Sequence, residues 1–166
     1  MMFTHPPSLL ITDDDEAFRE TLQGVLEPQG LRTLLAGDGE EAVRIVRTEE
    51  VHLVLSDMHM PRLTGLETIR LLKRMNAELP CILLSADLDE VLLAQARDAK
   101  VFSVLRKPVT RVEITRIVLT ALSRTYNWPG PEGEEPTGRD GADARLGRPW
   151  RGRLEWRTPN RREGLD

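Results

Sequence analysis

Six side chains stand where short apolar runs stop, and their types suit one chemistry. Asp13, Asp14 and Asp15 follow Leu9-Leu10-Ile11-Thr12, Asp57 follows the run from Val51 to Leu55, Ser85 follows Cys81 to Leu84, and Lys107 follows Val101 to Leu105. If those runs are strands laid side by side, the six meet on one rim. Carboxylates gathered so closely repel one another unless positive charge sits among them. Hard oxygen donors with positions left to water suit Mg²⁺, which favours one or two carboxylates plus phosphate oxygens. A lysine and a hydroxyl on the same rim complete a phosphate site: the ammonium cancels charge and the hydroxyl donates to an oxygen. The sequence holds no P-loop pattern, so the phosphate expected is not that of a bound nucleotide.

The elements that must position these groups follow from the patterning. From residue 8 to 125, apolar runs alternate with amphipathic stretches, and a further run spans Leu31 to Ala36. Most runs are continuous, as in strands covered on both faces of a parallel sheet. Between them Phe18, Leu22 and Val25 recur at helical spacing, as do Ala42, Ile45 and Val46, and later Ile114, Ile117, Val118 and Ala121. Thr64-Gly-Leu-Glu67 and Thr110-Arg-Val-Glu113 read as capping boxes, Asp38-Gly-Glu-Glu41 as a related start, and Pro28 with Gly30 as the close of the first helix. Five βα units imply an α/β fold: a doubly wound, five-stranded parallel sheet with helices on both faces and flavodoxin-like order 2-1-3-4-5. Ligands in that class sit beyond the carboxyl ends of the strands, where the six side chains fall.

The 166 residues suffice for one domain with a real core. We expect an N-terminal extension over 1–7, the domain over 8–125, and a disordered tail over 126–166. In the tail, residues 132–143 carry five acids against one arginine, and 144–166 seven arginines against three acids. A net charge of −4 gives no whole-molecule footprint for nucleic acid, and the arginines of the tail support at most salt-sensitive, non-specific binding. The single Cys81 excludes an intrachain disulfide and reads as a small core residue. No apolar stretch approaches the roughly 20 residues that span a bilayer, and the first residues lack a secretion signal, so a cytoplasmic location away from membranes is expected.

Together, Leu9-Leu-Ile-Thr-Asp13-Asp14-Asp15, Val54-Leu-Ser-Asp57-Met-His-Met-Pro61 with Gly65, Leu84-Ser85-Ala86 and Lys107-Pro108 resemble the receiver domain of two-component response regulators, in a stand-alone, chemotaxis-regulator-like form. The resemblance covers roughly residues 8 to 125. It implies a phosphoacceptor, Asp57, attacking a phosphohistidine or a small acyl phosphate. Asp14 and Asp57 would hold Mg²⁺ directly with the backbone carbonyl of His59, and Asp13 would act through water. Lys107 would pair with phosphoryl oxygens, and Ser85 would swing in to bond one of them. The implied donor is a sensor histidine kinase or phosphotransfer protein. The implied output is a downstream protein target on the face built from the fourth helix, fifth strand and fifth helix, rather than specific nucleic acid. The chain departs from the family at Val104, where Tyr or Phe is usual, at Val109, where Phe is common, and in having His59 at a position that governs access of water. Phe102, two residues before Val104, is expected on the same face of the strand.

Taken singly, each residue has a plainer reading. Asp13 and Asp14 could serve only a helix N-terminus, Ser85 could be an ordinary strand end, and Lys107 a solvated surface lysine. An acid closing an apolar strand still needs compensation, so Asp57 resists that treatment. The His59 ring matches an oxygen-ligand site poorly and is expected at the rim. Two other functions remain open: a receiver-like interaction module that works without phosphorylation, and an aspartate-nucleophile phosphatase of the haloacid dehalogenase type using Asp13 and Asp15. The signalling reading makes the chain a switch and not an enzyme.

Overall fold

A computed structural model describes Phe3 and residues 5–130. Five strands form its centre: β1 (Ser8–Thr12), β2 (Arg32–Ala36), β3 (Leu53–Asp57), β4 (Cys81–Ser85) and β5 (Ser103–Arg106). Every residue of β1, β3 and β4 is buried, which accounts for their unbroken apolar sequences. All pairs are parallel, in the order β2-β1-β3-β4-β5. Two strands sit later in the chain than their apolar runs suggest. Pairing with β1 begins at Leu9↔Leu53, leaving Val51 outside, and β5 begins after Phe102.

Helices α1 (Glu16–Leu26), α2 (Gly39–Thr48), α3 (Gly65–Met75), α4 (Glu90–Asp98) and α5 (Arg111–Tyr126) cover both faces. Alternation within each strand divides the core. Leu9, Ile11, Leu53, Leu55 and Leu84 pack with α1 and α5, whereas Leu10, Val54, Leu83 and Val104 pack with α2, α3 and α4. Thr64 and Thr110 make complete capping boxes, with Glu67 and Glu113 returning the bond. Asp15, Asp38 and Asp89 cap α1, α2 and α4 through their side chains. After α1 the chain makes a 3-10 turn over Glu27–Gln29, and Gly30 takes φ 87°, which a residue with a Cβ rarely adopts.

The expected domain limits change at both ends. Tyr126 belongs to α5, Asn127 closes the helix in the left-handed region at φ 61°, and Trp128 turns back into the core at 7% exposure. Phe3 of the expected extension packs on the same core cluster. The packed unit therefore runs past residue 125, and the remainder of the expected tail, 131–166, lies outside the described residues. Among the described residues no helix is long and apolar enough to cross a membrane.

Candidate functional site

The parallel register brings the strand ends level. Thr12 lies opposite Ser56, Asp57 opposite Leu84, and Ser85 opposite Arg106. Backbone bonds then carry each chain over the rim: Asp13 N–H donates to Ala36 (3.1 Å), Met58 N–H to Leu84 (2.8 Å) and Lys107 N–H to Ser85 (2.9 Å). Gly65 opens α3 against the end of β3, where a Cβ would lie 2.1 Å from the Asp57 carbonyl oxygen. Only glycine allows that approach, and its own N–H returns to the Met58 carbonyl at 2.9 Å.

Asp13, Asp14 and Asp57 offer carboxylate oxygens within 4.8 Å of one another. Asp13 and Asp57 are buried and Asp14 is exposed. The Lys107 ammonium stands between the buried pair, 3.1 Å from Asp13 Oδ2 and 3.0 Å from Asp57 Oδ1. It also lies 4.3 Å from the centre of the Phe18 ring, a cation–π contact one turn into α1. The Lys107–Pro108 peptide bond is cis.

Burial, the largest influence, raises the pKa of Asp13 above the ordinary carboxylate range. The Asp15 N–H and Lys107 oppose it, and the charge of Asp57 adds to it. Burial by itself would lower Lys107, but hydrogen bonds to Asp57 and Asp13, with their charges, outweigh it and hold the ammonium above its usual value. One cation thus leaves negative charge at Asp13 still costly. Three hard oxygen donors, one of them open to water, fit a divalent cation of the Mg²⁺ kind.

The adjacent acids separate by role. Asp15 accepts from Phe18 N–H at 3.2 Å and serves the helix, while its own N–H donates to Asp13 Oδ1 at 2.9 Å. Ser85 is on the rim, but its hydroxyl donates to the Asp87 carbonyl (3.0 Å) and accepts from the Asp87 N–H (3.2 Å). The His59 ring is exposed at the rim, with Nε2 3.7 Å from Asp87 Oδ2, as its sequence position suggests. Phe102 is corrected: it precedes β5 and packs with the α1–α5 cluster, whereas Val104 lies buried in the other. It does not stand in for a ring at position 104. Reading the sequence missed Phe18 as a partner of Lys107. Its helical position beside the acids was the available signal.

The molecule is thus a doubly wound parallel α/β protein with clustered acids and a lysine on its carboxyl rim. The family described as "Response regulator receiver domain" matches residues 9–119. The response regulator MprA of Mycobacterium sp. (strain KMS) is 34% identical over 127 residues, covering 76% of this chain and 55% of that protein. The DNA-binding response regulator MtrA of Mycolicibacterium smegmatis is 30% identical over 128 residues, covering 77% of this chain and 56% of its own length. A crystal structure of the signal receiver domain of an HD domain-containing protein from Pseudomonas fluorescens Pf-5 superposes with TM-score 0.70 at 26% identity, covering 75% of this chain and all of that one. The chain belongs to the response regulator receiver domain family of two-component systems. It spans about half the length of the curated relatives it matches.

Proposed function

We propose that Asp57 is the phosphoacceptor of a Mg²⁺-dependent switch, with Asp14, Asp57 and the His59 backbone carbonyl holding the ion and Asp13 acting through water. The observation that carries this reading is the Lys107 ammonium, 3.1 and 3.0 Å from two buried carboxylates whose oxygens cluster with that of Asp14. Bound Mg²⁺ supplies charge neutralisation for a transferring phosphoryl group. An Asp57 oxygen forms the new bond to phosphorus. The P–N bond of a phosphohistidine breaks, or the P–O bond of an acyl phosphate, and its electron pair leaves with the imidazole or carboxylate. Lys107 shifts its hydrogen bonds from the carboxylates to the phosphoryl oxygens. Ser85 exchanges its Asp87 contact for a phosphoryl oxygen and draws the following loop with it.

The donor in this reading is a sensor histidine kinase or phosphotransfer protein, and the setting is cytoplasmic. Output runs through a protein target on the face of α4, β5 and α5, where Val91 and Val112 stand 65% and 60% exposed. The DNA binding named for MtrA belongs to a protein nearly twice as long as the matched region. For the present domain we propose protein contact, without specific nucleic-acid recognition. The phosphatase alternative is disfavoured because Asp15 caps α1, and we read the chain as a switch, not an enzyme.

Incubation with acetyl phosphate and Mg²⁺ should add one phosphoryl group, located by mass spectrometry on Asp57. Labelling that survives Asp57→Ala would sink the assignment. One observation favours a second reading: Val104, fully buried, offers no ring to flip. Beryllofluoride with Mg²⁺ separates the two, since a domain that works without phosphorylation would leave its spectrum unchanged.

A further inference from the structure

Arg19 is placed against the ordinary electrostatics of a helix. It is the fourth residue of α1 (Glu16–Leu26), near the end where exposed amides favour anions and disfavour cations. The helix gains nothing from a guanidinium there. Its Nη1 instead reaches back six residues and donates to the Asp13 backbone carbonyl at 2.5 Å.

That carbonyl belongs to a residue only 2% exposed. A buried carbonyl without a donor is costly. The other polar groups of Asp13 are already engaged: its N–H with Ala36, Oδ1 with the Asp15 N–H and Oδ2 with Lys107. The carbonyl is also one half of the peptide linking Asp13 to Asp14. A donor fixed on it sets the plane of that peptide, and so the direction in which the exposed Asp14 leaves the strand.

We propose that Arg19 is a positioning residue of the metal site, holding the Asp13–Asp14 peptide so that Asp14 faces Asp57. The inference rests on the reading of this rim as a Mg²⁺ site. It makes a prediction opposite in sign to simple electrostatics. Removing a cation near a dication site should by charge alone tighten Mg²⁺. Loss of an orienting hydrogen bond should loosen it, by roughly tenfold if Arg19 behaves as outer-shell partners generally do.

The test is a calorimetric Mg²⁺ titration of the full chain without a phosphoryl donor, alongside thermal unfolding in chelator. Arg19→Ala is expected to weaken Mg²⁺ by roughly tenfold. Arg19→Gln, uncharged but still able to donate an amide N–H, is expected to restore wild-type affinity or exceed it. Tighter binding in both variants would reduce Arg19 to a charge and overturn the proposal. Unchanged affinity in both, with lowered melting temperatures, would leave it a packing residue and overturn it equally. If Arg19→Ala fails to fold, Arg19→Gln carries the same test through Mg²⁺-dependent amide shifts of Asp13 and Asp14: wild-type shifts and affinity support the proposal, weaker binding overturns it. A wild-type chain that binds no Mg²⁺ would sink the metal reading itself.

Discussion

At the carboxyl ends of the strands, Asp13 and Asp57 lie buried and share a single ammonium, and Asp14 faces solvent beside them. At the amino ends, the polar groups around His52 find partners within the protein, while the buried Ser103 hydroxyl at the start of β5 has none among the described residues. His52 Nδ1 accepts from the Ser8 N–H at 2.9 Å, and Tyr126 donates to the His52 carbonyl at 2.7 Å. Phe3, His52 and Tyr126 close over them edge to face, with centroids 5.0 to 5.9 Å apart. Trp128 is buried in the cluster beneath α1 and α5. The same sheet therefore supports two kinds of end. One is built for stability, with most of its polar demands met internally. The other keeps a surplus of negative charge that a ligand can relieve, and such unrelieved strain is where function is found.

The contrast breaks most visibly in labelling. Asp57→Asn should abolish phosphoryl uptake from acetyl phosphate outright, while Tyr126→Phe at the other end should label like wild type, both read by mass spectrometry. Equal loss in the two would show that the ends are not independent. Next in size, Trp128→Ala should cost about 3–5 kcal/mol of stability in denaturant titration, as removal of a buried aromatic side chain does. Its Mg²⁺ affinity, measured where it remains folded, should not move. Tyr126→Phe should cost only about 1 kcal/mol, for one hydrogen bond to a buried carbonyl. A neutral result there would show that solvent satisfies the His52 carbonyl just as well.

The smallest effect sharpens the comparison through pH. Burial, the largest influence, lowers His52 below its ordinary 6.5 despite the opposing charge of Glu50. Its contribution to stability is complete above 6.5 and declines as pH falls from there towards the lowered folded value. Asp13 is an acid with a raised pKa, so its charge is a burden above that raised value, and the burden lifts as pH falls towards 3.8. Acidification should thus weaken one end and relieve the other. Unfolding profiles in chelator should show His52→Gln flattening the loss below 6.5 and Asp13→Asn stabilising the protein most at neutral pH. Parallel profiles for the two variants would contradict the opposition.

Much of this was legible in the residues. Continuous apolar runs gave buried parallel strands, Thr64 and Thr110 announced their helices, and the acids, Ser85 and Lys107 fell at strand ends because the parallel register levels those ends. Three adjacent aspartates, by contrast, carry no sign of which one caps and which two face the rim. That depends on the backbone angles after β1, where Asp15 leaves at φ −92° and ψ 108°. Nor does alternation speak for Phe102, since a residue just outside a strand is free of its pleat. Trp128 sits in Pro- and Gly-rich sequence that reads as tail. Its burial follows from the left-handed turn at Asn127, which a single side chain cannot advertise.

Helix α5 begins shortly after Lys107, at its Thr110 cap, and ends where Trp128 is pinned in the core. Its 16 residues make a rod of about 24 Å joining the two ends just contrasted. Mechanically it is a lever with a fixed fulcrum. A displacement of about 1 Å at the lysine end turns such a rod by only about 2°, given the helical rise. In such a displacement the exposed Val112, in the first turn, would travel almost the full distance and Tyr126 would scarcely stir. A partner gripping the first turn of α5 would therefore read nearly all of the motion, and one gripping the last turn almost none.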